Sequence, residues 1–383
     1  MRGLILKKVL YIAYNYEHYN KKIIWQLEAF QNFGYETYLL NLKRDNTCTL
    51  YNVSKDGNYV IKKQQLRSDY RSNKNSLKSY IEELYKSYHF DVTYFRRLMV
   101  DLIGWGKIFQ VIKTYKSYIY YEIPTYPLDR PGSLKEKVAN SLESIYFKKN
   151  IYKFIDCIPT IVQDDCLLDI KMIEYNNSIN ESFIINDYPR PDFDGAESNF
   201  LAIAHVKYWH GYDRFLNSVE SYNGDVKINL TIVSSDTSDL EVFKKAAETV
   251  RNINNIVFVD NSEVTDIHSY ANQFHIALGG LGYFRRGATF DTSIKNKEYC
   301  ALGLPFVIAN YDKSFPTNFR YLYKISSDEE LFILEDIITW YKEIFDDDVN
   351  YRKVMSEYAL CNLTYNTEFK KLLVYSESNL VQH

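Results

Sequence analysis

Residues 7–42, KKVLYIAYNYEHYNKKIIWQLEAFQNFGYETYLLNL, contain the pattern that decides the fold of this chain. A short apolar run is followed by apolar residues at helical spacing, then by Gly34, then by a second apolar run. Helical spacing closed by a glycine is typical of a helix and its C-terminus. The order strand, helix, strand predicts the start of a parallel, doubly wound sheet.

The same alternation continues along the chain. One segment, 54–78, is basic and weakly patterned, and we expect a surface loop there. The stretch NDYPRPDFDGAES at 186–198 has the prolines, glycine and acids of a linker, and the alternation then restarts. We therefore expect an α/β protein with two Rossmann-like doubly wound domains, 1–192 and 193–365, facing across a cleft. A C-terminal helix at 366–383 is expected to pack back toward the first domain.

Composition and charge restrict the class of protein. Apolar residues make up 46% and charged residues 25% of the chain, as in soluble globular proteins. The net charge of −3 argues against a nucleic-acid partner, but residues 1–150 carry 25 Lys/Arg against 14 Asp/Glu. Five cysteines without metal spacing fit a reducing cytosol, and no run approaches the roughly 20 apolar residues of a membrane span. We expect a cytoplasmic protein that can bind the inner face of the cell membrane peripherally.

The stretch ATFDTSIKNKEYCALGLPFVIA at 288–309 carries the clearest chemistry. Cap-type residues at 291–293 precede a short helix, whose N-terminus offers unpaired N–H groups to a phosphate. Lys295 adds a cation for a diphosphate, and Glu298 can accept hydrogen bonds from a vicinal diol such as a ribose. The pattern predicts a nucleotide-diphosphate site. The alternative is an ordinary salt bridge between Lys295 and Glu298 on a solvated helix.

Several segments together resemble GT-B glycosyltransferases of the large retaining group called glycosyltransferase family 4. SIKNKEYCALGLPFVIA (293–309) is similar to the C-terminal signature of that group, and AIAHVKYWHGYDRFL (202–216) to the opening of its donor domain. HIALGGLGYFRRG (275–287) resembles the glycine loop upstream of the signature, and YYEIPTYPLD (120–129) a segment of the capsule and polysaccharide branch. The resemblance implies sugar transfer from a nucleotide-sugar to a glycan acceptor, lipid-linked in our expectation, during surface polysaccharide biosynthesis.

The resemblance and the helix pattern together imply a donor-binding set. Its members are His210, Gly211, Arg285, Arg286, Thr292, Ser293, Lys295 and Glu298. Two positions depart from the family. His210 stands where the family has a lysine, so Arg285 and Arg286 are expected to supply positive charge. Phe290 stands where the first glutamate of the paired-glutamate motif belongs, with Asp291 one step away, which affects contact with the donor sugar and the retaining outcome.

Three residues of the first half are candidates on the acceptor side. Glu122, at the end of a predicted strand, is a candidate catalytic base, and a structural hydrogen bond is its alternative. His18 and Asn15 lie on the loop after the first predicted strand, which faces the cleft in this architecture. His18 is the second catalytic candidate, with a merely solvated imidazole as the alternative, and Asn15 is expected on the acceptor-side loop.

The expected reaction uses no cofactor. No acidic metal motif stands in a suitable place, so we expect a metal-independent enzyme whose cations stabilise the diphosphate leaving group. A UDP-sugar is favoured over a GDP- or dTDP-sugar, and an anionic membrane surface is a further expected partner. Basic residues between 62 and 78 and between 135 and 149 would face that surface. Two alternatives stay open: a nucleotide-sugar epimerase of the same build, and a non-catalytic nucleotide-sugar or glycan-binding protein.

Overall fold

The structure is a computed structural model, and the residues it describes are 7–16, 20–67, 70–97, 104–123, 134–161, 166–184, 189–235, 237–287 and 290–380. The chain divides into two compact units. The N-terminal unit comprises Met1–Asn176 and Tyr365–His383, and the C-terminal unit comprises Asn177–Thr364.

Strands and helices alternate through both units. Up to Glu174 they are β1 (Lys7–Tyr14), α1 (Asn20–Asn32), β2 (Tyr35–Leu42), β3 (Thr47–Ser54), β4 (Gly57–Gln65), α2 (Tyr70–Tyr88), β5 (Val92–Arg96), α3 (Trp105–Thr114), β6 (Tyr118–Glu122), α4 (Leu134–Tyr146), β7 (Ile158–Thr160), β8 (Cys166–Leu167) and β9 (Ile170–Glu174). Next come β10 (Glu197–Ile203), α5 (Tyr212–Glu220), β11 (Lys227–Ser234), α6 (Ser238–Ala247), β12 (Asn255–Asp260), α7 (Ile267–Ala271), β13 (Ile276–Leu278), α8 (Ile294–Ala301), β14 (Phe306–Ile308), β15 (Leu322–Lys324), α9 (Leu334–Asp347) and α10 (Tyr351–Asn362). The last helix is α11 (Tyr365–Leu380).

The sheet of the N-terminal unit has the order β4-β3-β2-β1-β5-β6 within the described residues. β1 pairs in parallel with β2 and β5, and β5 pairs in parallel with β6. Residues Val9–Ala13 of β1 are buried, because a strand inside a parallel sheet is covered on both faces and must be apolar throughout. Gly34 ends α1 with φ +81, a left-handed conformation that suits glycine. The strand–helix–strand prediction for 7–42 is confirmed.

The loop predicted at 54–78 is wrong. Residues Gly57–Gln65 form β4, which pairs antiparallel with β3, and α2 begins at Tyr70. β4 is the edge strand and most of its residues are exposed. An edge strand buries little, so it can consist of polar and basic residues, and its sequence lacks the apolar alternation by which strands are recognised.

The helix α11 belongs to the N-terminal unit through a cluster of aromatic rings. The ring of Phe369 lies 4.6 Å from Phe30 and 5.9 Å from Tyr94. The hydroxyl of Tyr120 donates to the carbonyl oxygen of Leu372 at 3.0 Å. These contacts hold α11 against α1 and against strands β5 and β6.

The sheet of the C-terminal unit has the order β12-β11-β10-β13-β14-β15 in the described part of the chain, and its pairings are parallel. The strand order reverses between β10 and β13, which lie side by side although two strands separate them in sequence. Ligands of open parallel sheets bind at such a reversal, beyond the carboxyl ends of the strands. The fold class predicted from the sequence, two Rossmann-like domains, is confirmed.

The division between the units falls at 176–177, before the boundary that composition predicts at 192–193. The intervening residues, 177–192, contact the C-terminal unit. The Arg190 guanidinium lies 3.3 Å from the centre of the Phe345 ring, and Phe193, directly after the segment, lies 5.0 Å from both His275 and Tyr341. Prolines and acids mark an irregular segment, but they do not reveal which of the two units that segment packs on.

No helix in the described ranges is both long enough and apolar enough to span a bilayer.

Candidate functional site in the C-terminal unit

The loops that follow β10 and β13 touch each other at two glycines. A Cβ atom on Gly211 would lie 2.6 Å from the backbone nitrogen of Gly282, and Gly211 has φ +70. The N–H of Leu281 donates to the carbonyl oxygen of His210 at 2.8 Å. Only glycine allows this approach, and the contact brings the two segments that the sequence predicts for the donor site to one place.

His210 is a neutral side chain in this site. Its Nδ1 accepts a hydrogen bond from the Lys207 N–H at 3.1 Å, which assigns the ring proton to Nε2. Burial, with Lys295 and Arg286 nearby, lowers the pKa of His210 to about 2. At neutral pH the ring therefore offers a hydrogen-bond donor and no positive charge, unlike the lysine that it replaces in the family pattern.

Lys295 lies on the first turn of α8 and carries the central cation of the site. Its Nζ is buried and has no hydrogen-bond partner among the described residues. It lies 5.9 Å from the ring centres of both Tyr212 and Tyr283. Burial lowers its pKa to about 8, although Asp291 and Glu298 oppose that shift. A buried ammonium without a partner is unfavourable, and an anion placed beside it removes the penalty.

The N-terminus of α8 is not capped by its own N-cap side chain. Ser293 is the N-cap residue, and its side chain forms no capping hydrogen bond. Thr292 is fully buried, and its hydroxyl accepts a hydrogen bond from the Asn177 N–H at 3.3 Å. The Ser293 side chain thus leaves the first-turn N–H groups of α8 uncapped. Lys295 is on the same turn as these groups. Glu298 is half-buried, one turn further along the helix.

The two arginines of the loop after β13 have different environments. Arg285 forms bidentate pairs with Asp213 (2.7 Å) and Glu329 (2.7 and 2.8 Å). These hydrogen bonds raise the pKa of Arg285, and they connect the loop after β13 to the first turn of α5 and to the segment after β15. Arg286 is exposed, forms no ion pair with a described carboxylate, and lies 5.0 Å from the centre of the Tyr283 ring. Arg286 is thus the arginine whose charge is available to a phosphate.

A buried ion pair on α8 was not anticipated from the sequence. The Nζ of Lys297 lies 3.0 and 2.8 Å from the carboxylate oxygens of Asp312, and both side chains are fully buried. The Asn296 amide donates to Asp312 at 2.9 Å. This cluster fixes α8 against the segment after β14. Lys295 and Lys297 look alike in the sequence, so no local pattern could have distinguished them.

Phe290 and Asp291 lie beside this cluster. Phe290 forms a parallel bridge with Tyr311, and the Nζ of Lys313 lies 5.7 Å from the centre of its ring. The Asp291 carboxylate accepts a hydrogen bond from the Thr292 N–H at 2.8 Å. Burial, and then Asp312, raise the pKa of Asp291. The position where the family carries its first glutamate thus holds an aromatic ring next to a desolvated carboxyl group.

Glu122 is fully buried at the end of β6. Its carboxylate lies 2.8 Å from the Nζ of Lys22 and accepts a hydrogen bond from Gln26 at 3.4 Å. Burial alone would raise its pKa, but Lys22 and Arg96 outweigh burial and the pKa is lowered. Burial lowers the pKa of Lys22 to about 8. The role of Glu122 as catalytic base stays a prediction, and this geometry favours the structural alternative because both oxygens already have partners.

The structure says less about the other two candidates of the N-terminal unit, Asn15 and His18. Asn15 follows β1 with φ +47, and its N–H donates to the Leu42 carbonyl oxygen at 2.8 Å. His18 lies outside the described residues. No group of three or more His, Cys, Asp or Glu side chains in the described part of the chain is arranged to hold a metal ion.

The fold is that of GT-B glycosyltransferases. Solved structures that resemble the chain include a glycosyltransferase from Rickettsia africae, with 12% identity, 98% of this chain and 99% of the other covered, and a TM-score of 0.68. Anabaena HepE in complex with UDP matches with 9% identity, 97% and 100% coverage, and a TM-score of 0.62. A Listeria monocytogenes protein described as a UDP-N-acetylglucosamine 2-epimerase matches with 12% identity, 98% and 97% coverage, and a TM-score of 0.53.

No protein-family model matches the sequence, and no curated protein matches it. At these low identities the structural likeness demonstrates the fold and leaves the activity to be argued from the site.

Proposed function

We propose that this protein is a glycosyltransferase that binds a nucleotide-diphosphate sugar in the C-terminal unit and transfers the sugar to a glycan acceptor. The observation that carries the proposal is the buried Nζ of Lys295, which has no described partner, on the first turn of α8. A diphosphate at the helix N-terminus would satisfy this ammonium and the uncapped N–H groups together. The site therefore selects for a diphosphate and not for a neutral sugar.

The roles of the surrounding residues follow from their environments. Lys295 and Arg286 would neutralise the charge that develops on the diphosphate as the glycosidic bond breaks. His210 would donate a neutral hydrogen bond from Nε2. Glu298, one turn beyond Lys295, would accept hydrogen bonds from the ribose hydroxyls. Arg285 would hold the loops after β10 and β13 in the geometry that this binding requires.

The finer assignments are also proposals. The motif resemblance supports a retaining enzyme of glycosyltransferase family 4 that acts in surface polysaccharide biosynthesis with a lipid-linked acceptor. A UDP-sugar is the favoured donor, in keeping with the UDP bound by HepE. The surplus of basic residues in 1–150 supports peripheral attachment to an anionic membrane surface at the inner face of the cell membrane. We also propose that the reaction requires no metal ion.

The test is to incubate the purified protein with UDP-sugars, with GDP- and dTDP-sugars as comparison, and to follow the nucleotide and the sugar separately. Release of UDP by transfer or slow donor hydrolysis supports the proposal. Isomerisation of the sugar with the nucleotide still attached would instead make the protein an epimerase. Binding without any turnover, with and without glycan acceptors, would make it a binding protein.

A matched pair of variants tests whether Lys295 binds the diphosphate. Lys295→Met should weaken UDP binding by roughly tenfold or more and leave uridine binding unchanged, since its partner would be a phosphate oxygen. Lys245→Met changes the charge equally at an exposed position of α6 and should have no effect. Equal losses for uridine and UDP would remove Lys295 from the phosphate site.

A further inference from the structure

The helix α4 of the N-terminal unit presents apolar side chains to solvent. Val138, Leu142 and Ile145 are 52%, 62% and 51% exposed. They are spaced by four and three residues, so they lie one above the other on a single face of the helix. We refer to these three residues as the apolar stripe.

The side of α4 that packs on its own unit carries a charged group instead. Glu143 is buried, and its carboxylate accepts hydrogen bonds from Nε and Nη2 of Arg97 at 2.9 and 2.7 Å. A surface helix normally buries its apolar side and exposes its polar side. At these positions α4 does the reverse, because the ion pair is inside and the apolar stripe is outside. A continuous apolar row on an exposed helix face marks a contact surface, whereas scattered apolar residues do not.

Positive charge continues the apolar stripe. Lys148 and Lys149 lie in the π-helical turn Phe147–Ile151, which directly follows α4, and both are exposed. The only acidic residue of the sequence between 138 and 149 is Glu143, which is the buried partner of Arg97. This stretch therefore presents apolar groups together with positive charge and exposes no negative charge.

The combination of apolar residues and lysines suits an anionic bilayer better than a protein partner. Lysine is depleted in protein interfaces. A helix that lies in the membrane interface instead combines an apolar face with lysines whose ammonium groups reach the lipid headgroups. Residues 1–150 carry 25 Lys/Arg against 14 Asp/Glu, so the charge of this half also favours an anionic surface.

We infer that the apolar stripe and the two lysines after it form the surface by which this protein binds an anionic membrane. The inference rests on the peripheral attachment proposed above and names the element that makes it. The sequence divides the basic residues between 62–78 and 135–149, and the structure favours the second stretch. Lys62 in the first stretch already pairs with Glu83 at 2.5 Å, and the apolar stripe belongs to the second. α4 would lie in the plane of the membrane, with the apolar stripe among the upper acyl chains.

The test is co-sedimentation with phosphatidylcholine vesicles that contain or lack phosphatidylglycerol. The unchanged protein should bind the anionic vesicles more tightly, and salt should weaken this binding. Leu142→Gln/Ile145→Gln should weaken binding by roughly tenfold or more, because the inserted apolar surface is lost while helix propensity is kept. Lys148→Gln/Lys149→Gln should weaken binding to anionic vesicles by about tenfold and reduce its salt dependence.

Matched controls separate the apolar stripe from apolar surface in general. Val60→Gln/Val374→Gln changes two side chains of the same unit that are each 61% exposed, and it should bind vesicles as the unchanged protein does. Thermal unfolding should show every variant folded, since all the substituted side chains are exposed. UDP titration should give the same result for the α4 variants and the unchanged protein, so vesicle binding and donor binding are measured separately.

Loss of vesicle binding in both α4 variants, with binding kept in the control, supports the inference whether or not sugar transfer is found. Binding that ignores phosphatidylglycerol, equal binding by all variants, or no binding to any vesicle would overturn it, even if sugar transfer is established. Analytical ultracentrifugation tests the other occupant. Self-association that Leu142→Gln/Ile145→Gln abolishes, without vesicle binding, would assign the apolar stripe to a second copy of the chain and would also overturn the inference.

Discussion

The Nζ of Lys297 lies 2.8 Å from Oδ2 of Asp312, and neither side chain is exposed. Lys295, two residues earlier on the same helix, has a buried Nζ with no partner in the described part of the chain. One lysine of α8 thus fixes the helix, whereas the other is left at a cost in stability that a bound anion would remove.

The first prediction concerns this cost and its pH dependence. The pKa of Lys295 is about 8 in the folded protein and near 10.5 when unfolded. The folded state therefore holds the proton less tightly, and the penalty is complete below pH 8 and disappears as pH rises toward 10.5. Lys295→Met should raise the free energy of unfolding at neutral pH by about 1–3 kcal/mol, and by less in alkaline solution. Urea unfolding at neutral and at alkaline pH, with Lys245→Met as control, measures the change in the free energy of unfolding. A Lys295→Met variant that is less stable than the unchanged protein at neutral pH would contradict the prediction.

The second prediction tests the ribose contact of Glu298. Glu298→Ala should weaken UDP binding by about 1.5–3 kcal/mol, the range for hydrogen bonds to a charged group. Calorimetry should also show that the variant binds UDP and 2′,3′-dideoxy-UDP equally, because neither would then have a carboxylate partner. A variant that still prefers UDP over the dideoxy compound would place the ribose elsewhere.

The third prediction separates the two arginines. Arg285→Ala should lower the free energy of unfolding by about 1–2 kcal/mol, since it releases two partly exposed carboxylates and opens the contact between the loops. Arg286→Ala should leave stability unchanged and weaken UDP binding several-fold. Thermal unfolding and UDP titration of both variants decide this, and a stable Arg285→Ala that fails to bind UDP would give Arg285 the direct phosphate contact.

The fourth prediction concerns Glu122. Removing one partner of a buried ion pair leaves the other charge without compensation, so Glu122→Gln should cost roughly 3–5 kcal/mol of stability. The double variant Lys22→Met/Glu122→Met should cost clearly less than the sum of the single changes. Urea unfolding of the cycle measures both. Unchanged stability of Glu122→Gln together with lost turnover would instead support Glu122 as the catalytic base.

The fifth prediction is that turnover survives chelation. The cations proposed to stabilise the leaving group are side chains, Lys295 and Arg286, together with the α8 N-terminus. Nucleotide release should therefore be the same with and without EDTA, measured after extensive dialysis. Loss of turnover that manganese or magnesium restores would establish a metal-dependent reaction.

The sequence by itself determined the order of strands and helices and the class of the fold. Apolar runs, helical spacing, and stops at Gly34 and Gly303 are local properties, so they are visible without the tertiary structure. The edge strand β4 was not predicted, because most of its residues are exposed and its sequence therefore lacks the apolar alternation of a strand. The motif around α8 and the two glycine-containing segments at 202–216 and 275–287 likewise supplied the candidate donor residues.

Only the tertiary structure decided which charges are available to a ligand. Lys297 pairs with a carboxylate 15 residues away, and Arg285 pairs with Glu329 44 residues away. Within the described residues, the Nζ of Lys295 forms no hydrogen bond, and Arg286 forms no ion pair. The same holds for His210, whose neutral state follows from burial next to Lys295 and Arg286. Ion pairing and desolvation depend on distances between segments remote in sequence, and neighbouring residues of the same type therefore acquire opposite roles only when the chain has folded.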